Sequence, residues 1–300
     1  MDEPVIITAP LAVDLRYSNW LDAVNVARER KNLAVWPGSG YRPPRPIGRY
    51  YLVDDNLRAG HLVKPTGAGQ VQFPFEVRPR VEADDLFQRI RGEEGLEEFG
   101  DEGILEINLH PLGPLNCVLA SAETKPQLLD RKFLRFIVNF ARANPSLVVF
   151  YHSWGGGATK NGLHAQTISA KFFYDNANML LLEEHSRTID LNGEESDAIL
   201  WQMVYRLQRE EDGCPFNLII SKDRCYVLER KGIYSTIKRG ELTSDPTDEE
   251  LISTPLLGAI DGAGIFIVSQ KELNQLLKEH PDKAEHMLGF LYTRNFKVKP

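Results

Sequence analysis

The chain has 300 residues, 42% hydrophobic and 26% charged, enough to bury a full core as one large domain or two small ones. Its formal net charge of -7 argues against a general nucleic-acid or anionic-membrane surface, while leaving room for a local basic pocket. Cys117, Cys214 and Cys225 are odd in number with no C-x-x-C pair, so neither a disulfide framework nor a structural zinc site is indicated. No apolar run reaches the ~18 residues of a membrane span and no leader pattern opens the chain, so a cytoplasmic location is expected.

Met1 to Pro46 begins with a short apolar run and then reads as an amphipathic helix from about Ser18 to Arg30, broken by Pro37 and by Pro43, Pro44 and Pro46. From Arg49 the chain has strand character interrupted by turn residues, and Lys64, Arg78 and Arg80 are either surface charges or contacts to a diphosphate or base. The mixed charge of Asp84 to Glu98 reads as helical or loosely ordered. Ile104 to Ala120 then reads as two apolar strands divided by a Pro-Gly-Pro turn. Leu129, Phe133, Phe136, Ile137 and Phe140 recur at helical spacing, so Leu128 to Ala143 is predicted to be a helix burying one face.

The stretch from Phe150 to Ala170 is a strand, a glycine-rich loop and a second strand. Val148 to Ser153 suits a buried strand, and Gly155, Gly156 and Gly157 stop it. Beyond Asn161, period-two alternation puts Gly162, His164 and Gln166 on one face and Leu163, Ala165 and Thr167 on the other, with His164 expected to be exposed. Successive peptide N–H groups of a glycine loop form an anion-binding nest, which suits phosphate. A neutral imidazole beside such a nest can attack phosphorus if an acceptor pins its other ring nitrogen. Gln166 can hold a phosphate oxygen but cannot act as a general acid at neutral pH, which favours leaving groups that depart without a proton. Lys160 adds a positive charge for the transition state. The plainer reading of a single histidine here is a hydrogen-bonded surface or core residue, and the loop lacks the order of a Walker A motif.

Past Ala170, a helix is predicted from Asp197 to Glu211 with Ile199, Leu200, Met203, Val204 and Leu207 on one side. Phe216 to Ser221 and Cys225 to Leu228 form a hairpin around Lys222, Asp223 and Arg224, and a closing strand precedes a helix from Asp282 to Tyr292.

The glycine stretch resembles the active-site strand of the histidine-triad superfamily, in its transferase branch with H-x-H-x-Q. It is most similar to the GDP-hexose phosphorylases, and more distantly to galactose-1-phosphate uridylyltransferase and diadenosine tetraphosphate phosphorylase. Tyr151, Ser153, Gly155, Ala158, Thr159, Asn161, Leu163, His164 and Gln166 fit the group's Y-x-S-x-G-x-x-A-T-x-N-x-L-H-x-Q. Ile107, Asn108, Pro111 and Val118 fit a second motif, as do Pro215, Phe216, Asn217, Ile220 and Ser221 a third. Two family histidines are replaced here, by Gly162 and Asn116. In relatives a backbone carbonyl at the position of Gly162 orients the nucleophile.

The resemblance implies an α+β, histidine-triad-like fold of two half-barrel units with antiparallel sheet and packed helices. It implies an N-terminal extension (1–48), a catalytic half (49–170) and a second, non-catalytic half (171–300) acting as scaffold. It makes His164 and Gln166 catalytic, with Ser153, Gly155, Gly156, Gly157, Thr159, Lys160, Asn161, Gly162, Asn108 and Lys64 binding substrate. No metal or cofactor is required. The expected partners are a nucleoside diphosphate sugar, GDP-hexose favoured, and inorganic phosphate or a phosphorylated acceptor, without nucleic acid or membrane; a homodimer is left open. The alternatives are a nucleotide-binding module that has lost catalysis, and a nucleotide hydrolase.

Overall fold

A computed structural model describes residues 24–25, 45–53, 97–99, 103–108, 111–121, 123, 125–153, 156, 162–209, 214–231, 236–243, 251–253, 257–267 and 271–298. In chain order its strands are β1 (Arg45–Ile47), β2 (Tyr50–Val53), β3 (Glu97–Phe99), β4 (Gly103–Ile107), β5 (Cys117–Ser121), β6 (Leu147–His152) and β7 (His164–Ser169). They continue with β8 (Ser186–Asp190), β9 (Phe216–Ile220), β10 (Arg224–Glu229), β11 (Thr236–Lys238), β12 (Leu251–Ser253) and β13 (Ile265–Ile267).

Eight of these form one sheet in the order β3-β4-β5-β7-β6-β9-β10-β8, antiparallel throughout. β1, β2 and β13 make a second sheet in which β13 runs parallel to β2, and β11 pairs with β12 in a third. The architecture is α+β, as the motifs imply. Strands from either side of residue 170 meet at β6 and β9, where His152 lies opposite Asn217.

Alternation along these strands builds a core on each face of the large sheet. Cys117, Leu119, Val149, Tyr151, Ala165, Leu218 and Val227 pack on one side with helices Arg131–Ala143 and Ser196–Arg209. Val148, Phe150, Ile168, Ile219, Tyr226 and Leu228 pack on the other with helices Ala170–Asn176, Met179–His185, Lys271–Glu279 and Ala284–Asn295. The central strands are buried on both faces, which is why they read as near-continuous apolar runs rather than as amphipathic ones.

Helix Arg131–Ala143 starts where Asp130 accepts the Phe133 N–H at 2.7 Å, capping one of the orphan donors of the first turn. Phe133, Phe136, Ile137, Phe140 and Ala141 then stack along one stripe, each less than a fiftieth exposed or nearly so. Fully burying each phenylalanine contributes about 2–3 kcal/mol. Pro145 follows the cap residue Asn144 and prevents continuation.

Two sequence expectations differ from the structure, one strand is unexpected, and one expected helix lies mostly outside the described residues. Glu97–Phe99, read as helical or loose, is the edge strand β3, held by backbone pairing to Gly103–Leu105. Ser186–Asp190 is a strand on the opposite edge, where one solvated face leaves no apolar run to find. Ile199 is 47% exposed and Met203 only half-buried, so helix Ser196–Arg209 seats itself through Leu200, Val204 and Leu207. Of the helix expected over Ser18 to Arg30, Val24 and Asn25 are helical and the remainder lies outside the described residues.

Candidate active site

Register decides which side chains share the site. Gln166 lies opposite Val118 on β5 and Phe150 on β6, and His164 lies opposite Ala120. Residues directly opposite each other point to the same face, as do residues two apart. Asn116, Gln166, His164, His152 and Asn217 therefore line one end of the same face across β5, β7, β6 and β9.

His164 opens β7, with Gly162 in a bend just before it. Its Nδ1 lies 2.6 Å from the Gly162 carbonyl oxygen. A carbonyl only accepts, so the proton sits on Nδ1 and the lone pair on Nε2. The expected alternation of Gly162, His164 and Gln166 against Leu163, Ala165 and Thr167 is observed, Leu163 and Ala165 lying in the helix-covered core. The ring is not exposed as expected: His164 is 8% accessible, because it folds back onto Gly162 on a central strand flanked by β5 and β6.

Gln127, 3% exposed, holds the backbone around this ring. Ladder pairing between β6 and β7 runs only as far as Phe150 and Gln166. Beyond that point the Gln127 side chain bridges the two strands. Its Nε2 donates to the carbonyls of His152 at 2.7 Å and His164 at 2.9 Å, and its Oε1 accepts the His164 N–H at 2.9 Å. Nothing in the spacing of the sequence announces this role.

Gln166 is oriented by two asparagines. Its Oε1 accepts from Asn108 Nδ2 at 3.3 Å and from Asn116 Nδ2 at 3.4 Å. Asn116 is fully buried, and backbone groups fix which way it faces: Oδ1 accepts the Leu112 N–H at 2.8 Å and Nδ2 donates to the Thr167 carbonyl at 2.6 Å. Asn108 Nδ2 also donates to Asn116 Oδ1 at 2.9 Å, so this predicted substrate contact has its amide nitrogen engaged within the protein.

Ser153 ties the end of β6 to β9, its Oγ accepting the Phe216 N–H at 2.8 Å. A Cβ added at Gly156 would lie 2.6 Å from the Phe216 carbonyl, 2.7 Å from Asn217 Oδ1 and 2.8 Å from Ser153 Oγ, so packing alone demands glycine there. Asn217 is fully buried, and neither of its amide atoms is hydrogen-bonded among the described residues. At Gly162 a Cβ would meet nothing within 4 Å among the described residues. Lys64, Gly155, Gly157, Thr159, Lys160 and Asn161 lie outside the described residues.

His152 connects the row to the C-terminal segment, its Nε2 accepting the Ala259 N–H at 2.8 Å. Behind that contact, buried Asp261 accepts from the Gly258 N–H at 2.6 Å and the Ile267 N–H at 3.0 Å. Burial pushes its carboxyl up to about 6 even though those N–H groups favour the ionised form. No group of three or more metal-ligating side chains occurs among the described residues, and no helix among them is long and apolar enough to cross a membrane.

An eight-stranded antiparallel sheet with helices packed on both faces makes this an α+β fold of the histidine-triad-like kind. Three solved structures share this fold: yeast Ap4A phosphorylase Apa2 alone (TM-score 0.55), with AMP (0.54) and with Ap4A (0.56). Each is 15% identical to this chain, over 96% of this chain and 99% of that one, and the likeness is one of fold. No protein-family model and no curated protein matches the chain.

Proposed function

We propose that the protein is a nucleotidyltransferase acting through a nucleotidyl-histidine intermediate on His164. The observation that carries this reading is the 2.6 Å contact from Nδ1 to the Gly162 carbonyl, which places the ring's lone pair on Nε2, the nitrogen that would attack. In the first step Nε2 attacks the α-phosphorus of a nucleoside diphosphate sugar. An N–P bond forms, the bond from the α-phosphorus to the bridging oxygen breaks, and sugar 1-phosphate leaves with the electron pair. The ring becomes cationic, and the Gly162 carbonyl already sits on the N–H that shares the charge. In the second step an oxygen of inorganic phosphate attacks the same phosphorus, the N–P pair returns to Nε2, and nucleoside diphosphate departs.

Gln166 Nε2 holds a non-bridging oxygen in both steps, and the glycine loop with Lys160 supplies further donors and charge. Segment 49–170 carries the nucleophile, while segment 171–300 serves as scaffold beside it. Resemblance of the motifs favours a GDP-hexose donor with phosphate as acceptor. A second donor class, a dinucleoside polyphosphate, is favoured by the shared fold with a phosphorylase whose structure holds Ap4A; it offers the same phosphoanhydride and a leaving group that also ends in phosphate.

The test is intact-protein mass spectrometry after incubation, without phosphate, with GDP-glucose, ADP-glucose, UDP-glucose and Ap4A in turn. A nucleoside monophosphate adduct on His164, discharged by added phosphate and absent from a folded His164→Ala variant, is the expected result. Turnover of His164→Ala at the native rate sinks the nucleophile assignment. Tight binding with neither adduct nor product points to a binding module instead.

A further inference from the structure

Three side-chain amides, of Asn108, Asn116 and Gln166, meet where β4, β5 and β7 adjoin and form a closed chain of hydrogen bonds. Asn116 Oδ1 takes two protons, from Leu112 N–H and Asn108 Nδ2, and Asn116 Nδ2 gives two, to the Thr167 carbonyl and Gln166 Oε1. Gln166 Oε1 in turn takes two, from Asn116 and Asn108. Each acceptor oxygen has two lone pairs and each amide nitrogen two hydrogens, so both asparagine nitrogens and both acceptor oxygens are saturated. The orientation originates in the backbone: only one flip of Asn116 matches the Leu112 donor and the Thr167 acceptor. That flip aims a donor at Gln166, which must answer with its oxygen and so turns Nε2 the other way.

We propose that Asn116 is a positioning residue that sets the polarity of the site by keeping the Gln166 amide with its N–H outward. The proposal rests on the reading of the site as a nucleotidyl-transfer centre for its consequence, not for its geometry. Phosphate oxygens are acceptors, so a Gln166 flipped to present Oε1 would repel the group it is there to hold. The polarity of one half-buried amide is thus decided by a fully buried residue on the next strand.

Asn116→Asp tests this. The aspartate keeps an oxygen for the Leu112 N–H but sets its other oxygen against the Thr167 carbonyl and Gln166, so Gln166 turns Nε2 toward the carboxylate. In the ligand-free protein, the Gln166 side-chain amide signals in a proton–nitrogen correlation spectrum, assigned by their loss in Gln166→Leu, are expected to move downfield. Unmoved signals overturn the proposal. With AMP as probe, Asn116→Asp is expected to weaken binding about 10- to 100-fold in the native background, the loss of one hydrogen bond to a charged group. In the Gln166→Leu background the same change is expected to cost at least about tenfold less, the remainder being repulsion between the aspartate charge and the phosphate. Equal losses in both backgrounds mean that Asn116 acts through the fold and not through Gln166, which also overturns the proposal. Asn116→Ser carries the same pair of comparisons if the aspartate variant does not fold. Native protein that binds no AMP would sink the nucleotide reading while leaving the spectral test of the amide standing.

Discussion

Replacing Gln127 by leucine removes a side chain that bridges β6 and β7 beyond their last paired residues. Three backbone groups lose a hydrogen bond together: the His164 N–H, the His164 carbonyl and the His152 carbonyl. Removing one hydrogen-bond partner from a buried polar group costs about 1–3 kcal/mol, so the variant is expected to lose about 3–6 kcal/mol, allowing water to reach part of the gap. Against a total stability of about 5–15 kcal/mol that is a large share. The urea midpoint should fall with an unchanged slope, and thermal unfolding should drop by on the order of 10 °C. Gln127→Glu refines the test: at neutral pH its carboxylate faces two carbonyls, and protonation restores a donor to one of them, so its deficit should shrink as the pH falls. A Gln127→Leu loss below about 1 kcal/mol would mean that the strands close on each other without the amide, and the bridging argument would fail.

At Gly103 a Cβ would come within 2.3–2.4 Å of the fully buried Phe136 ring, so Gly103→Ala should cost about 1–3 kcal/mol by overpacking, read from the urea midpoint. A neutral result would mean that the β4 edge yields freely. Asn217→Leu should raise stability by about 1–2 kcal/mol, because it deletes two buried amide atoms that have no partner among the described residues, and a fall would refute that account. Asp261, with a folded pKa of about 6 against about 3.9 in an unfolded chain, holds a proton in the native state that the unfolded chain has released between those values. Its contribution is therefore full below about pH 4 and is lost as the pH rises through about 6, by about 3 kcal/mol; the native-minus-Asp261→Asn difference in unfolding free energy should track that window and would refute the shift by staying flat.

What could be read from the sequence was whatever depends on local order along the chain. The stripe of Phe133, Phe136, Ile137 and Phe140, and the alternation of His164 and Gln166 against Leu163 and Ala165, follow from periods of 3.6 and 2. The motif resemblance supplied the Gly162 carbonyl as the ring's anchor, and the structure has that contact. What escaped depends on register between distant strands. β3 and β8 sit on the two edges of the sheet, β3 carrying Glu97 and Glu98, where backbone pairing and not apolar patterning defines the strand. Gln127 follows a proline and precedes an apolar run, a position that suggests only a loop, and its reach to His152 and His164 exists because β6 and β7 stop pairing at Phe150 and Gln166. Asn116 read as a lost histidine, since its described partners lie on the turn at Asn108 to Leu112 and on β7 at Gln166 and Thr167, and nothing beside it in sequence announces them.

The choice of amides around this histidine has a physical logic. Asn108, Asn116, Gln127 and Gln166 each carry a donor and an acceptor in one plane, so a fixed backbone group at one end of the chain dictates the polarity at the other. A carboxylate in the place of Asn116 would accept only and a lysine would donate only, and either would bring a buried charge costing several kcal/mol. A carboxylate close to the ring would also favour its protonated, cationic form, in which both nitrogens are donors and no lone pair remains for phosphorus. Neutral amides and a backbone carbonyl orient the imidazole and its neighbour without adding a charge beside them, and on the proposed nucleotidyl-transfer reading the positive charge that the ring gains is the one the Gly162 carbonyl is placed to receive.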